Sequence, residues 1–323
     1  MTVGDIVSQT NVPTEGPLAL SEEAAKKIEG RSPWRLAVER LRKDRSAVIS
    51  SPVIILIVLM AIFAPVFAMI TGHGVNQQFY DTGLTPDGIP RGPSSTFILG
   101  NDDLGRDLLV RIAYGARVSL IVGVVATALT MTIGVVVGLA AGYFGKLVDT
   151  ILARLIDVML SIPFLLLAIS LSSIFSPSLT IVIIVLGILS WASIARIVRG
   201  QVLSIREREY VEAARALGAG SWRIMFVDIL PNLVAPIIVY TTLLIPLTIV
   251  GEASLSFLGI GVQPPTPDWG YMIATASNGG LYQVAWWYLV FPSLALLITT
   301  LAFNIFGDGV RDAFDPRSDR MFG

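Results

Sequence analysis

The sequence predicts an all-α integral membrane protein with six spanning helices and both termini on the cytoplasmic side. Composition is the first reason. Of 323 residues, 54% are apolar and 15% charged, and the mean hydropathy is +0.72. One soluble core of this length could not bury so much apolar surface. Second, six runs approach the roughly 20 apolar residues that a bilayer-crossing helix needs. They cover 52–70, 119–142, 155–175, 179–195, 229–250 and 286–306. Third, Lys and Arg are distributed asymmetrically. With the N-terminus inside, the inner segments hold eight in residues 1–51, Lys146 and Arg154, six arginines in 196–228, and three in the tail. The outer segments hold only Arg91, Arg106, Arg111 and Arg117.

In chain order, residues 1–30 are polar and aperiodic and read as a loose tail. Ser32 as cap and Pro33 in the first turn then start a helix. Trp34, Val38 and Leu41 recur at i, i+4, i+7 among Arg35, Glu39, Arg40, Arg42 and Lys43. The spacing fits either an amphipathic helix on the inner membrane surface or a linker. The domain organisation is therefore a cytoplasmic tail with interfacial helix (1–51), a first span (52–70), an external loop with an interfacial segment (71–118), a five-helix core (119–306) and a cytoplasmic tail (307–323). The core includes a cytoplasmic loop at 196–228. The first long apolar run begins too late for a secretory signal.

Several chemistries are excluded. The chain has no cysteine, hence no disulfide, thiolate metal site or cysteine nucleophile. Its one histidine, His73, rules out a multi-histidine metal site, and its loop setting predicts a solvated side chain. A net charge of −1 provides no general field for nucleic acid. Gly134, Gly138 and Gly142 recur every four residues, as in a close helix contact, although glycine is also simply common in membrane helices. Pro163, Pro231, Pro236, Pro246 and Pro292 mark hinges or fixed kinks. Asp157 has Arg154 three residues before it and reads as half of an ion pair, and Glu252 lies near the outer end of the fifth span. Thr241, Thr242, Thr299, Thr300 and Asn304 either face a path or bond back to their own helices. Arg106 and Asp107 read as a lock on an interfacial helix, and Trp286-Trp287-Tyr288 as an aromatic belt.

The most informative stretch is 209–232, EYVEAARALGAGSWRIMFVDILPN. Tyr210, Ala213, Ala214 and Leu217 share a helical stripe, and Gly218 follows where a left-handed residue ends a helix cheaply. Ser221 can cap a second short helix over 221–226, and Leu230-Pro231 leads into the fifth span. Spacing alone allows a DNA-binding helix–turn–helix or an ordinary packed loop. Spanning helices on both sides leave no room for a duplex, so no nucleic-acid partner is expected.

This segment resembles the "EAA" loop of permease subunits of binding-protein-dependent ABC importers. Glu212-Ala213-Ala214, Gly218, Leu230 and Pro231 match in register, while Asp228 stands where that pattern has Ile. The chain also resembles the dipeptide, oligopeptide and nickel branch, in its second-permease subunit. Leu99-Gly100-Asn101-Asp102-Asp103-Leu104-Gly105-Arg106-Asp107, Leu255-Ser256-Phe257-Leu258-Gly259, Asp268-Trp269-Gly270 and Gly307-Asp308-Gly309 carry that likeness. The resemblance implies the type-1 ABC importer permease fold in a bacterial inner membrane. It implies a non-catalytic subunit that forms a peptide path with a second permease subunit. Two ABC ATPase subunits and an extracytoplasmic substrate-binding protein complete the system. Glu212, Ala213, Ala214, Gly218, Ser221, Trp222, Arg223, Leu230 and Pro231 would couple to the ATPase. No G-x-x-x-x-G-K-[ST] occurs, so no cofactor is expected in this chain, with ATP and Mg bound by the partner subunits. Nickel or another small solute is the alternative cargo. A stand-alone secondary transporter would not need the EAA loop. An intramembrane hydrolase would need a placed histidine or paired aspartates.

Overall fold

The computed structural model describes residues 33–314. The predicted loose tail, the Ser32 cap and the end of the C-terminal tail lie outside the described residues. Helix α1 (Pro33–Lys43) forms, which removes the linker reading, but its buried side chain is Ala37, while Val38 of the expected stripe is exposed. Helix α2 (Arg45–Ile62) starts seven residues before the apolar run at 52. Asp44 accepts from the Ala47 amide at 2.8 Å, and the Ser50 hydroxyl bonds back to the Ser46 carbonyl at 2.7 Å. Two polar turns are thus helical because their groups are satisfied locally. The helix breaks at Phe63, and α3 (Ala64–Thr71) follows. Pro65 has no N–H for the Ala61 carbonyl four residues back. Arg117 supplies the missing donor, with Nε on Ala61 and Nη2 on the Ile62 carbonyl at 2.8 Å.

After the short α4 (Tyr80–Gly83), helix α5 (Leu108–Phe144) runs 37 residues. It absorbs residues 108–118, which the sequence suggested as part of a separate interfacial segment. Asp107 caps this span itself, accepting from the Val110 amide at 3.2 Å. The third span is broken: α6 (Lys146–Ser161) and α7 (Phe164–Ile174) meet at 86°. Ile162 and Pro163 between them are extended. Helix α8 (Leu179–Ile205) is capped by Ser178 and continues ten residues past the predicted end at 195. The loop expected at 196–228 is therefore shorter, beginning at Arg206. Helix α9 (Glu209–Ala216) precedes α10, a continuous helix over Ser221–Phe257. Helix α11 (Trp269–Ser277) leads to α12 (Trp286–Phe314), which includes 307–314 of the predicted tail. Among the described residues, five helices are long and apolar enough to cross a membrane, or six with the bent α6–α7 pair as one.

The α5–α8 pair is the most extensive helix contact, and its cause is the glycine stripe. A Cβ on Gly134 would lie 2.7 Å from Ile194, one on Gly138 2.7 Å from the Ala195 carbonyl and Val198, and one on Gly142 2.6 Å from Val202. Three turns of α5 therefore contribute no side chain to the contact, and the α8 carbonyls and the bases of Ile194, Val198 and Val202 approach the α5 backbone directly. Replacing Gly138 by Leu is expected to lower stability by about 3 kcal/mol through overpacking. Gly200→Leu is the control: its Cβ meets nothing within 4 Å. Thermal melting of the detergent-purified chain checks this: equal melting of both variants would contradict the packing account.

Candidate functional site

The segment 206–230 forms a protruding elbow. Helix α9 is anchored by one fully buried side chain, Val211, which joins Val198, Val202, Ile224 and Ile229. The stripe of Tyr210, Ala213, Ala214 and Leu217 faces mostly outward, with Leu217 88% exposed. Glu212 and Arg215 are exposed beside it. The end of α9 is closed by a double hydrogen bond: the Gly218 amide donates to Arg215 and the Ala219 amide to Ala214, both at 3.0 Å. This geometry requires a left-handed residue, and Gly218 has φ +82°.

The chain then re-enters helix α10 at Ser221. Gly220 occupies the cap position and the Ser221 side chain makes no capping bond, contrary to the role the sequence suggested for it. Residues 221–226 also do not form a separate short helix. They continue into α10 through a π-helical turn at Ile224–Ile229, whose wider ladder shows in the Leu230 amide donating to the Met225 carbonyl. Pro231 has no N–H to give the Val227 carbonyl, and the extra residue per turn relieves the conflict. Trp222 and Phe226 stack at 5.5 Å between ring centroids, and Trp222 is 72% exposed. Arg223 and Pro231 are exposed and Leu230 is half-buried. The elbow thus offers small and apolar surface (Ala213, Leu217, Trp222) within a rim of charge.

A cavity of about 550 Å³ lies at the bend of the broken span. Met159, Ile162, Pro163 and Phe164 form one wall, Leu186, Ser190 and Ser193 of α8 a second, and Leu244, Leu247 and Thr248 of α10 a third. The Thr248 hydroxyl lies 3.1 Å from that of Thr127. Thr241, Thr242, Thr299, Thr300 and Asn304 bond back to carbonyls of their own helices, at 2.7–2.9 Å. Asp157 is exposed and ion-paired, but its close partner is Arg196 of α8 at 2.7 Å, while Arg154 stands at 3.8 Å.

At the opposite end, residues 72–107 form a cap, and three expectations change. His73 is buried, not solvated: its Nδ1 lies 2.6 Å from Asp107 Oδ2, and its ring packs between Phe79 and Phe97. The carboxylate comes from 34 residues away, beyond the reach of local sequence reasoning. Arg106 pairs within the cap with Asp102 at 2.6 Å, and Arg111 joins the same carboxylate at 3.1 Å. Burial pushes the Asp102 carboxyl above its ordinary value, and the two guanidinium groups oppose the shift. Trp287 and Tyr288 are buried and hold the cap, donating to the Asn101 carbonyl and to Asp103, so that only Trp286 of that triplet is exposed.

Glu252 and Asp268 are both fully buried beside Ser119 and Ser256. Glu252 accepts from Ser256 at 2.9 Å. Asp268 caps α11 through the Gly270 and Tyr271 amides at 3.2 and 3.0 Å. The Ser119 hydroxyl lies 3.4 Å from the other Glu252 carboxylate oxygen. Burial raises Asp268, while its hydrogen-bond donors pull it back.

Residues 134–320 match the family described as binding-protein-dependent transport system inner membrane component. Residues 32–86 match the N-terminal TM domain of oligopeptide transport permease C. The chain is 42% identical to the di/tripeptide transport system permease protein DppC of Pseudomonas aeruginosa, over 81% of this chain and 85% of that protein. It is 40% identical to the oligopeptide transport system permease protein OppC of Bacillus subtilis, over 93% and 96%. A solved structure of the MetNI methionine ABC transporter in inward-facing conformations shares the fold. Its TM-score is 0.52 with 20% identity, covering 64% of this chain and 96% of that one.

Glu252 holds the Ser256 and Ser119 hydroxyls in a fully buried position. Glu252→Gln, which keeps an acceptor for the Ser256 hydroxyl, is expected to melt within a few degrees of the natural chain, whereas Glu252→Ala leaves both hydroxyls without that acceptor and is expected to lose about 2 kcal/mol. Melting curves of the two purified variants make the comparison, and equal melting would refute the role of this acceptor.

Proposed function

Since the chain belongs to the binding-protein-dependent transport system inner membrane component family, we propose that it is one of two permease subunits of an ATP-driven peptide importer. It is a multi-pass inner-membrane protein. In this reading both termini and the elbow face the cytoplasm and α1 lies along the inner surface. The cap faces outward, where the extracytoplasmic binding protein docks. The peptide cargo follows from the relatives, whose names specify di- and tripeptides or oligopeptides.

The observation that carries the mechanism is the elbow. A partner ATPase needs a surface that is both accessible and stiff. Leu217 and Trp222 are accessible. Val211 beneath, the paired hydrogen bonds at Gly218 and the unbroken run of α10 from the elbow into the membrane provide stiffness. A push on the elbow therefore reaches α10 and α8 directly. Both line the cavity at the bend, which serves as this chain's part of the path. Its lining is apolar with three hydroxyls (Ser190, Ser193, Thr248), a surface that admits peptides of varied side chain without holding any one tightly. ATP and Mg act in the partner subunits. This chain contributes shape change, with no bond made or broken on it.

The test uses the assembled complex with its binding protein in proteoliposomes. Gly218→Pro abolishes the left-handed turn, and Glu212→Arg reverses the charge beside the contact. Each is expected to reduce peptide uptake and binding-protein-stimulated ATPase at least tenfold. Unchanged values for both measurements would remove the coupling role from the elbow.

A further inference from the structure

Helix α6 is docked by charge more than by burial. Ile156 is its one buried side chain, in a small cluster with Trp191, Ala192 and Ala195 of α8. Met159 packs against the same cluster half-buried, and the polar attachment to α8 is two ion pairs. Arg199 grips Asp149 with both Nε and Nη2, the latter at 2.8 Å, each on its own carboxylate oxygen. Arg196 reaches Asp157 at 2.7 Å. The Asp149–Arg199 pair is about three-quarters buried on both sides, the Asp157–Arg196 pair about half. Eight residues separate the two aspartates, about 12 Å along α6.

Helix α8 is fixed differently. The glycine stripe seats it on α5, and Arg206 Nη1 ties its end to the Gly142 carbonyl at 2.8 Å. The elbow grows directly from that end. The α5–α8 pair and the elbow thus form one stiff body. Helix α6 is an arm attached to it on one side and to the Ile162–Pro163 bend on the other. The bend walls the cavity.

The geometry points to a two-rung charge strut, Asp149–Arg199 and Asp157–Arg196, that makes α6 travel with the elbow-bearing helix and so sets the opening of the cavity at the bend. These four residues are positioning residues for transport. Apolar contacts re-form after a slide of one helical turn, about 5.4 Å, whereas a two-oxygen guanidinium pair does not. The strut therefore selects one register of α6 on α8, which the few apolar contacts of Ile156 and Met159 do not fix. The inference rests on the permease reading above.

The experiment is the complete importer in proteoliposomes with its binding protein and a labelled tripeptide, read as peptide accumulated per ATP hydrolysed. Asp149→Arg and Arg199→Asp are each expected to lower that ratio at least fivefold, with basal ATPase within twofold of wild type. The charge-swapped D149R/R199D is expected to restore the ratio to within twofold. Asp149→Asn with Asp157→Asn, nearly isosteric, covers the case in which a reversed charge prevents assembly, and is expected to lower the ratio at least fivefold in complexes that co-purify intact. Single variants with the wild-type ratio, a swap no better than its parents, or a fully coupled double Asn variant would each overturn the strut while leaving the permease reading intact. A wild-type complex that hydrolyses ATP yet accumulates no peptide would overturn the permease reading itself, and the strut with it.

Discussion

The rest of the structure depends on the contact between α5 and α8. Van der Waals packing is the main source of helix association in lipid, because an apolar face gains nothing by leaving an equally apolar solvent. It is strongest where backbones meet. Gly134, Gly138 and Gly142 allow that along three turns, and the result is a two-helix girder reaching the elbow. Around it the other helices attach through softer means: two ion pairs for α6, a small apolar cluster for α7, and long prolyl helices α10 and α12 that pack on each other.

The two ends of the girder are built on opposite principles. The cap end buries its polar groups. Asp102, Arg106, Arg111, His73, Asp107, Glu252 and Asp268 are all nearly or fully inaccessible. Each has an ion-pair or hydrogen-bond partner nearby, because an unpaired buried charge is costly. Such a network gives a single rigid arrangement. The elbow end leaves its groups in the open, with only Val211 of α9 buried. Its shape is held by backbone geometry, through the left-handed Gly218 and the π turn ahead of Pro231. A scaffold that is locked at one end and exposes a stiff contact at the other suits a subunit driven from outside.

The broken third span gives this arrangement its moving part. Backbone that is extended at membrane depth is tolerated where it borders a cavity, and Ile162–Pro163 does border one. Pro163 favours the break, since it cannot donate to the preceding turn, although Pro236, Pro246 and Pro292 sit inside unbroken helices. The charged strut on α6 then decides where the inner arm of the break lies.

The class of molecule and its elbow were legible in the amino-acid order. Six apolar runs require a membrane, and a Gly after a periodic helix requires a turn. The glycine spacing put three bare positions on one stripe of α5. These features depend on residues close in the chain, where helical period and backbone freedom act directly. Helix ends were misjudged because apolar runs report where lipid is, while helices extend until a cap such as Asp44 or Asp107 ends them. Tertiary structure alone decided which helix the glycines meet and where His73 lies. It likewise paired Asp157 with Arg196, Asp149 with Arg199, and Glu252 with Ser119. Charges seek partners through space, and a partner 34, 39 or 50 residues away leaves no periodic trace in the sequence.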